Sequence, residues 1–137
     1  LEAKYRTNRN ILMSVFLTIS DDRVIYKGDF FFMIYDAYPV SKNHLLIISN
    51  ELREDYFSLT EEEQQELPKM INKAKSIIEK EIKPDGYNIG MNCGVTSGQT
   101  VMHFHCHIIP RFKGDVDNPS GGVRHCIMHK GYYKKKE

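Results

Sequence analysis

Gln99-Thr100-Val101-Met102-His103-Phe104-His105-Cys106-His107-Ile108-Ile109-Pro110 is the stretch that decides how this chain is read. Three histidines alternate with Phe104 and Cys106, and period-two alternation predicts a strand. Successive strand side chains point to opposite faces, so the spacing puts His103, His105 and His107 on one face. Met102, Phe104, Cys106 and Ile108 share the other, which is the face a core covers.

A row of imidazoles suits two chemistries. One is a metal site. The outer two residues stand ~13 Å apart along a strand, whereas a zinc–nitrogen bond is about 2 Å. Strand side chains stand roughly perpendicular to the chain, so two neighbours can share an ion but three do so only with strain. The other chemistry is covalent catalysis. A neutral imidazole is a nucleophile near neutral pH, and its neighbours can orient it and hold an anion such as phosphate. The bland alternative is a half-exposed strand that happens to be rich in histidine.

Together with Asn92-Cys93-Gly94-Val95-Thr96-Ser97-Gly98-Gln99-Thr100 before it, His103-Phe104-His105-Cys106-His107-Ile108-Ile109 resembles the signature of the histidine triad family. The resemblance runs from about Val24 to Tyr133. It implies an α+β fold, an antiparallel sheet of about five strands with one long helix and one short one. It implies a nucleotide hydrolase or transferase that cleaves at the α-phosphoryl group of a nucleoside 5′-phosphate conjugate, a dinucleoside polyphosphate or a nucleoside phosphoramidate. In that scheme His105 is the nucleophile, and His103 and His107 flank it. Asp36 holds the ribose, Asn92, Gly98, Gln99 and Thr100 contact phosphate, and His44 supports the triad from behind. A homodimer is implied as well. The tail Asn118-Pro119-Ser120-Gly121-Gly122-Val123-Arg124-His125 resembles a bacterial and archaeal subgroup often labelled as diadenosine polyphosphate hydrolases. Arg124 or His125 of the tail is expected near phosphate, in this subunit or its partner.

Many members of the family carry a Cys-x-x-Cys near the N-terminus that helps hold a structural zinc. This chain has Ser14 and Leu17 there, and Leu52 where a further zinc-binding His often stands. No structural zinc and no other cofactor is therefore expected, although magnesium can accompany a substrate. Two alternatives to turnover stand beside this reading. One is a nucleotide-binding module without activity, and the other is a metalloprotein using two of the three histidines.

The remaining features set bounds. With 137 residues, one domain is expected over 1–137, with an N-terminal arm over 1–22 and a loop-rich tail over 112–137. A net charge of +1 gives no electrostatic case for nucleic acid or a membrane surface. No apolar run is long enough for a transmembrane helix, and no signal peptide is visible. Three cysteines, Cys93, Cys106 and Cys126, show no metal-like spacing and fit a reducing, cytoplasmic setting.

Along the chain, the apolar run 11–17 predicts a short helix or a packed arm. Strands are expected near 24–26, 30–35 and 44–49 as a meander, and near 87–91. The segment 36–43 is a loop, on the turn preferences of Pro39 and Asn43. Thr60 and Glu63 fit a capping box opening a helix that runs to about Ile82. Pro68 inside it predicts a kink or break near Leu67. The lysines at 134–136 predict a solvated end.

Overall fold

The computed structural model describes residues 4–6 and 12–134. Ile11 and the last lysines of the tail lie outside the described residues. Among the described residues there are seven strands: β1 (Lys4–Arg6), β2 (Leu12–Ser14), β3 (Val24–Lys27), β4 (Phe31–Tyr35), β5 (Leu45–Ser49), β6 (Gly86–Gly90) and β7 (His105–Arg111). One α-helix, α1 (Glu61–Ile78), separates β5 from β6. β1 and β2 form a small antiparallel pair, and the other five make one antiparallel sheet in the order β3-β4-β5-β7-β6.

The meander expected for the first three strands is present. The chain then crosses through α1, lays β6 at the edge and inserts β7 between β6 and β5. This crossover puts the histidine-rich strand at an interior position. Its face is fixed there by neighbours on both sides.

α1 begins at the capping box: the Thr60 hydroxyl accepts from the Glu63 N–H, and the Glu63 carboxylate accepts from the Thr60 N–H at 2.7 Å. Leu67, Met70, Ala74 and Ile78 recur at helical spacing and are buried. They pack on Phe31, Met33, Ile47, Phe104, Cys106 and Ile108 of the sheet. Each large side chain so buried contributes roughly 1.5–3 kcal/mol. Two corrections concern this helix. Of the kink or break expected at Pro68, the break is absent: α1 is continuous from Glu61 to Ile78, with Leu67 and Met70 on either side of the proline packed on the sheet. It also ends at Ile78 rather than near Ile82, unwinding through tight turns whose Lys80 and Glu81 N–H groups bond back three residues.

The opposite face of the sheet carries Ile34, Leu46 and Ile48, covered in part by Phe16, Ile19, Val24 and Phe32. The expected short helix is a single 3-10 turn, Val15–Thr18, opened by the Ser14 hydroxyl accepting from the Phe16 N–H. This turn sits over the face that His105 and His107 share.

The triad strand is shorter than its alternation suggests. It starts at His105, and His103 lies in a bend before it. The Phe104 N–H leaves the ladder for the carbonyl of Arg53, at 2.6 Å. His103 is consequently 0 % exposed rather than standing on an open face.

Candidate active site

β7 places His105 opposite Ile48 and His107 opposite Leu46. Directly paired residues point the same way, so both rings stand on the face away from α1, while Phe104, Cys106 and Ile108 enter the core. The ring centroids of His105 and His107 are 5.2 Å apart. Phe16 presents its ring edge-on to His103 and His105, at 5.6 and 5.0 Å, and closes that end of the row.

Hydrogen bonds assign the tautomers. His105 Nδ1 lies 2.8 Å from the carbonyl oxygen of His103. A carbonyl only accepts, so Nδ1 carries the proton and Nε2 keeps a free lone pair. His103 Nε2 donates in the same way to the Ser49 carbonyl, at 2.7 Å. Its Nδ1 is buried and has no partner among the described residues. His103 thus positions its neighbour through its backbone oxygen, while its own ring is tied to β5.

A second chain of bonds reaches His107. The Val40 N–H donates to His44 Nδ1 at 3.2 Å, so His44 carries its proton on Nε2. Nε2 stands 2.9 Å from His107 Nδ1 and donates to it. His107 accepts there, which leaves its own proton on Nε2. Asp36 stands at the back of this pair, with one carboxylate oxygen 3.4 Å from His44 Nε2 and the other accepting from the Tyr38 N–H. The Asx turn and the support of His44 therefore draw on the same side chain.

Burial pushes the pKa of His103, His105 and His44 below the usual histidine range. His107 is pushed down to about 4, by burial first and then by the facing charges of His105 and His44. All four rings are neutral at pH 7. The result is one free lone pair on His105 beside one N–H donor on His107.

Asn92, Gly98 and Thr100 lie on an exposed loop that runs into His103. Gly94 and Gly98 have φ of 97° and 94°, which only glycine adopts readily, and Gly98 passes close by the Asn92 amide. Among the described residues, the N–H groups of Thr100, Val101 and Met102 have no acceptor. Gln99 is placed differently from its neighbours. It is 3 % exposed, its carbonyl accepts from the Gly94 N–H, and its amide donates to the Glu54 and Val101 carbonyls. Its polar atoms brace the loop from behind instead of facing outward.

The tail residues are also engaged elsewhere. Arg124 donates to the Gly131 carbonyl and lies over the Tyr133 ring, and His125 bonds the Ser120 carbonyl and packs on Tyr132. Among the described residues, no hydrogen bond or ring contact joins either side chain to His103, His105 or His107. Phe16, Val40 and Ser49 were not among the residues singled out from sequence. Only Phe16 left a trace there, as part of the apolar run before Thr18.

For metals, one group stands out among the described residues: Asp36, His44 and His107 each offer an atom within 4.8 Å of the others. No described helix is long and apolar enough to cross a membrane.

Comparison with known proteins bears on this arrangement. The model of the HIT domain matches residues 18–114. An AP-4-A phosphorylase of Mycobacterium tuberculosis is 29 % identical over 102 residues, 72 % of this chain and 52 % of that protein. A bis(5'-nucleosyl)-tetraphosphatase [asymmetrical] of Schizosaccharomyces pombe is 34 % identical over 93 residues, 68 % of this chain and 51 % of that protein. This chain thus spans about half the length of those two relatives. The crystal structure of a hypothetical histidine triad nucleotide-binding protein from Sulfolobus tokodaii superposes with a TM-score of 0.64 at 35 % identity, covering 67 % of this chain and 62 % of that one.

Proposed function

Since the chain belongs to the HIT domain family, we propose that it is a nucleotide hydrolase or transferase working through a covalent nucleotidyl-histidine on His105. The observation that carries this reading is the bond from His105 Nδ1 to the His103 carbonyl, which leaves Nε2 as a lone pair on a neutral ring. A substrate's α-phosphorus sits over that atom, with its ribose towards Asp36. His105 Nε2 attacks phosphorus, the bond to the leaving group breaks, and the leaving group departs with the electron pair. Water then attacks the same phosphorus and gives up a proton to solvent, the P–N bond breaks, His105 leaves as a neutral ring again, and a nucleoside monophosphate is released.

Charge that builds on the phosphoryl oxygens meets the N–H groups of Thr100, Val101 and Met102, with Asn92 beside them. His107 donates from Nε2 to a phosphoryl or bridging oxygen. A dinucleoside polyphosphate and a phosphoramidate present the same phosphoryl group to this site, and the names of the two curated relatives favour the polyphosphate. No step calls for a metal ion, and magnesium would enter only with the substrate.

Edge strand β6, with Ile89 exposed, is the element on which a second copy would extend the sheet into a homodimer. The free thiols of Cys93, Cys106 and Cys126 suit a cytoplasmic setting. The test is turnover of diadenosine tetraphosphate followed by product identification. The reading expects nucleoside monophosphate with label from solvent oxygen on its phosphate. Symmetric cleavage into two diphosphates would contradict it.

A further inference from the structure

His103 and Phe104 share one peptide unit, and both of its polar ends are used. The His103 carbonyl accepts from His105 Nδ1 at 2.8 Å, and the Phe104 N–H donates to the Arg53 carbonyl at 2.6 Å. A trans peptide is planar, with its C=O and N–H pointing in opposite directions. Fixing the N–H on one side therefore aims the carbonyl on the other. The acceptor belongs to the loop after β5, which braces the approach to β7 at both ends. The Ser49 carbonyl accepts from His103 Nε2 at 2.7 Å, and the Glu54 carbonyl accepts from the Gln99 amide at 2.6 Å. Beyond Ser49 the loop has no strand ladder to hold its shape. Asn50 ties its near end to the Phe30 carbonyl. Arg53 ties its far end to α1, with Nε at 2.9 and 3.3 Å from the two carboxylate oxygens of Glu63. Glu63 is buried, and a buried carboxylate held by a guanidinium and by the Thr60 N–H is a fixed point.

We propose that Arg53 is a positioning residue for the nucleophile: its ion pair with Glu63 sets the loop carbonyl that turns the 103–104 peptide towards His105. The proposal rests on the chemistry assigned above to His105. Among the described residues, no hydrogen bond joins the Arg53 side chain to His103, His105 or His107, so it acts through this peptide. With the His103 carbonyl in place, the His105 proton stays on Nδ1 and Nε2 keeps the lone pair that attacks phosphorus. With the carbonyl turned away, the neutral ring is free to carry its proton on either nitrogen. The fraction with the proton on Nε2 cannot attack. The two bonds of the peptide also reinforce each other, because a peptide that donates through its N–H accepts more strongly through its carbonyl.

Arg53→Met keeps most of the side-chain length and removes the charge. Glu63→Gln keeps an acceptor for the Thr60 N–H and weakens the pair. Each is expected to lower kcat for diadenosine tetraphosphate about tenfold with KM within about twofold. Nitrogen NMR of the free protein should show His105 moving from Nδ1–H to a mixture of tautomers. Arg53→Lys restores the charge and should return kcat to within about threefold of wild type. Thr60→Ala weakens the same helix cap and leaves the pair, so it should lower Tm without changing kcat or the tautomer. If Arg53→Met fails to fold, Glu63→Gln keeps the test open. An unchanged His105 tautomer in the folded variants, or a kcat loss that Thr60→Ala reproduces, would overturn the proposal and leave Arg53 as a contact of the fold. A shifted tautomer with full turnover would uphold the positioning of the ring and count against His105 as the nucleophile, so the two claims fail separately.

Discussion

Nε2 of His44 lies 2.9 Å from Nδ1 of His107, and the Val40 N–H fixes the direction of that bond from the other side of His44. A backbone amide in the loop before β5 thereby decides which nitrogen of His107 carries a proton in the site. His44→Phe keeps the ring volume and deletes the donor. Its expected effect is a fall in kcat of about 10- to 100-fold with KM changed little. Nitrogen NMR of His107 should show the tautomer shifting from Nε2–H towards Nδ1–H. An unchanged tautomer would mean that His44 merely packs.

The buried neutral histidines tie stability to pH, and the sign is fixed by the direction of their shifts. His107 falls from 6.5 to about 4 on folding, and His103, His105 and His44 are also lowered. Between those limits the unfolded chain binds more protons, so folding stability drops as pH falls from about 6.5 towards 4. Above that range all four rings are neutral in both states and add no pH dependence. His107 alone accounts for roughly 3 kcal/mol at most by pH 4. Urea titrations at pH 7.5, 5.5 and 4.5 check this, and constant stability over the three would contradict it.

Gln99 and Asn92 are neighbours in the loop but should fail differently. Gln99→Ala deletes three hydrogen bonds of a buried side chain, from the Gly94 N–H and to the Glu54 and Val101 carbonyls. A loss of about 2–3 kcal/mol is expected, seen as a lowered Tm. Asn92→Ala touches an exposed residue and should leave Tm unchanged while raising KM. Equal melting temperatures for the two variants would show that Gln99 is not a brace.

Glu63 links the helix to the site. It is 1 % exposed, closes the capping box and bonds Arg53, whose carbonyl receives the Phe104 N–H. Glu63→Ala should cost about 2–3 kcal/mol, more than an ordinary cap, because an ion pair is lost with it. Denaturant midpoints of Glu63→Ala and Thr60→Ala would separate the two contributions.

Local pattern made part of this legible from sequence, and its limits are physical. The alternation from His105 to Arg111 and the Thr60–Glu63 capping box are short-range signals, and both are present in the fold. The same alternation overran the strand at His103, because a distant carbonyl, that of Arg53, takes the Phe104 N–H out of the ladder. The glycines of the loop before β7 are readable from their freedom of φ. The inward turn of Gln99 was not, since its partner Glu54 is 45 residues away. Nor could the chain order show that β7 inserts between β5 and β6, or that Phe16 lies against His105.

The central claim is that His105 takes the nucleotidyl group. Rapid quench of the protein with diadenosine tetraphosphate, followed by mass analysis of the intact chain, measures this directly. The account predicts a burst of protein heavier by one adenylyl group, acid-labile as a phosphoramidate bond is, mapped to His105 and absent in His105→Asn. Full turnover by His105→Asn, or an adduct on another residue, would contradict it.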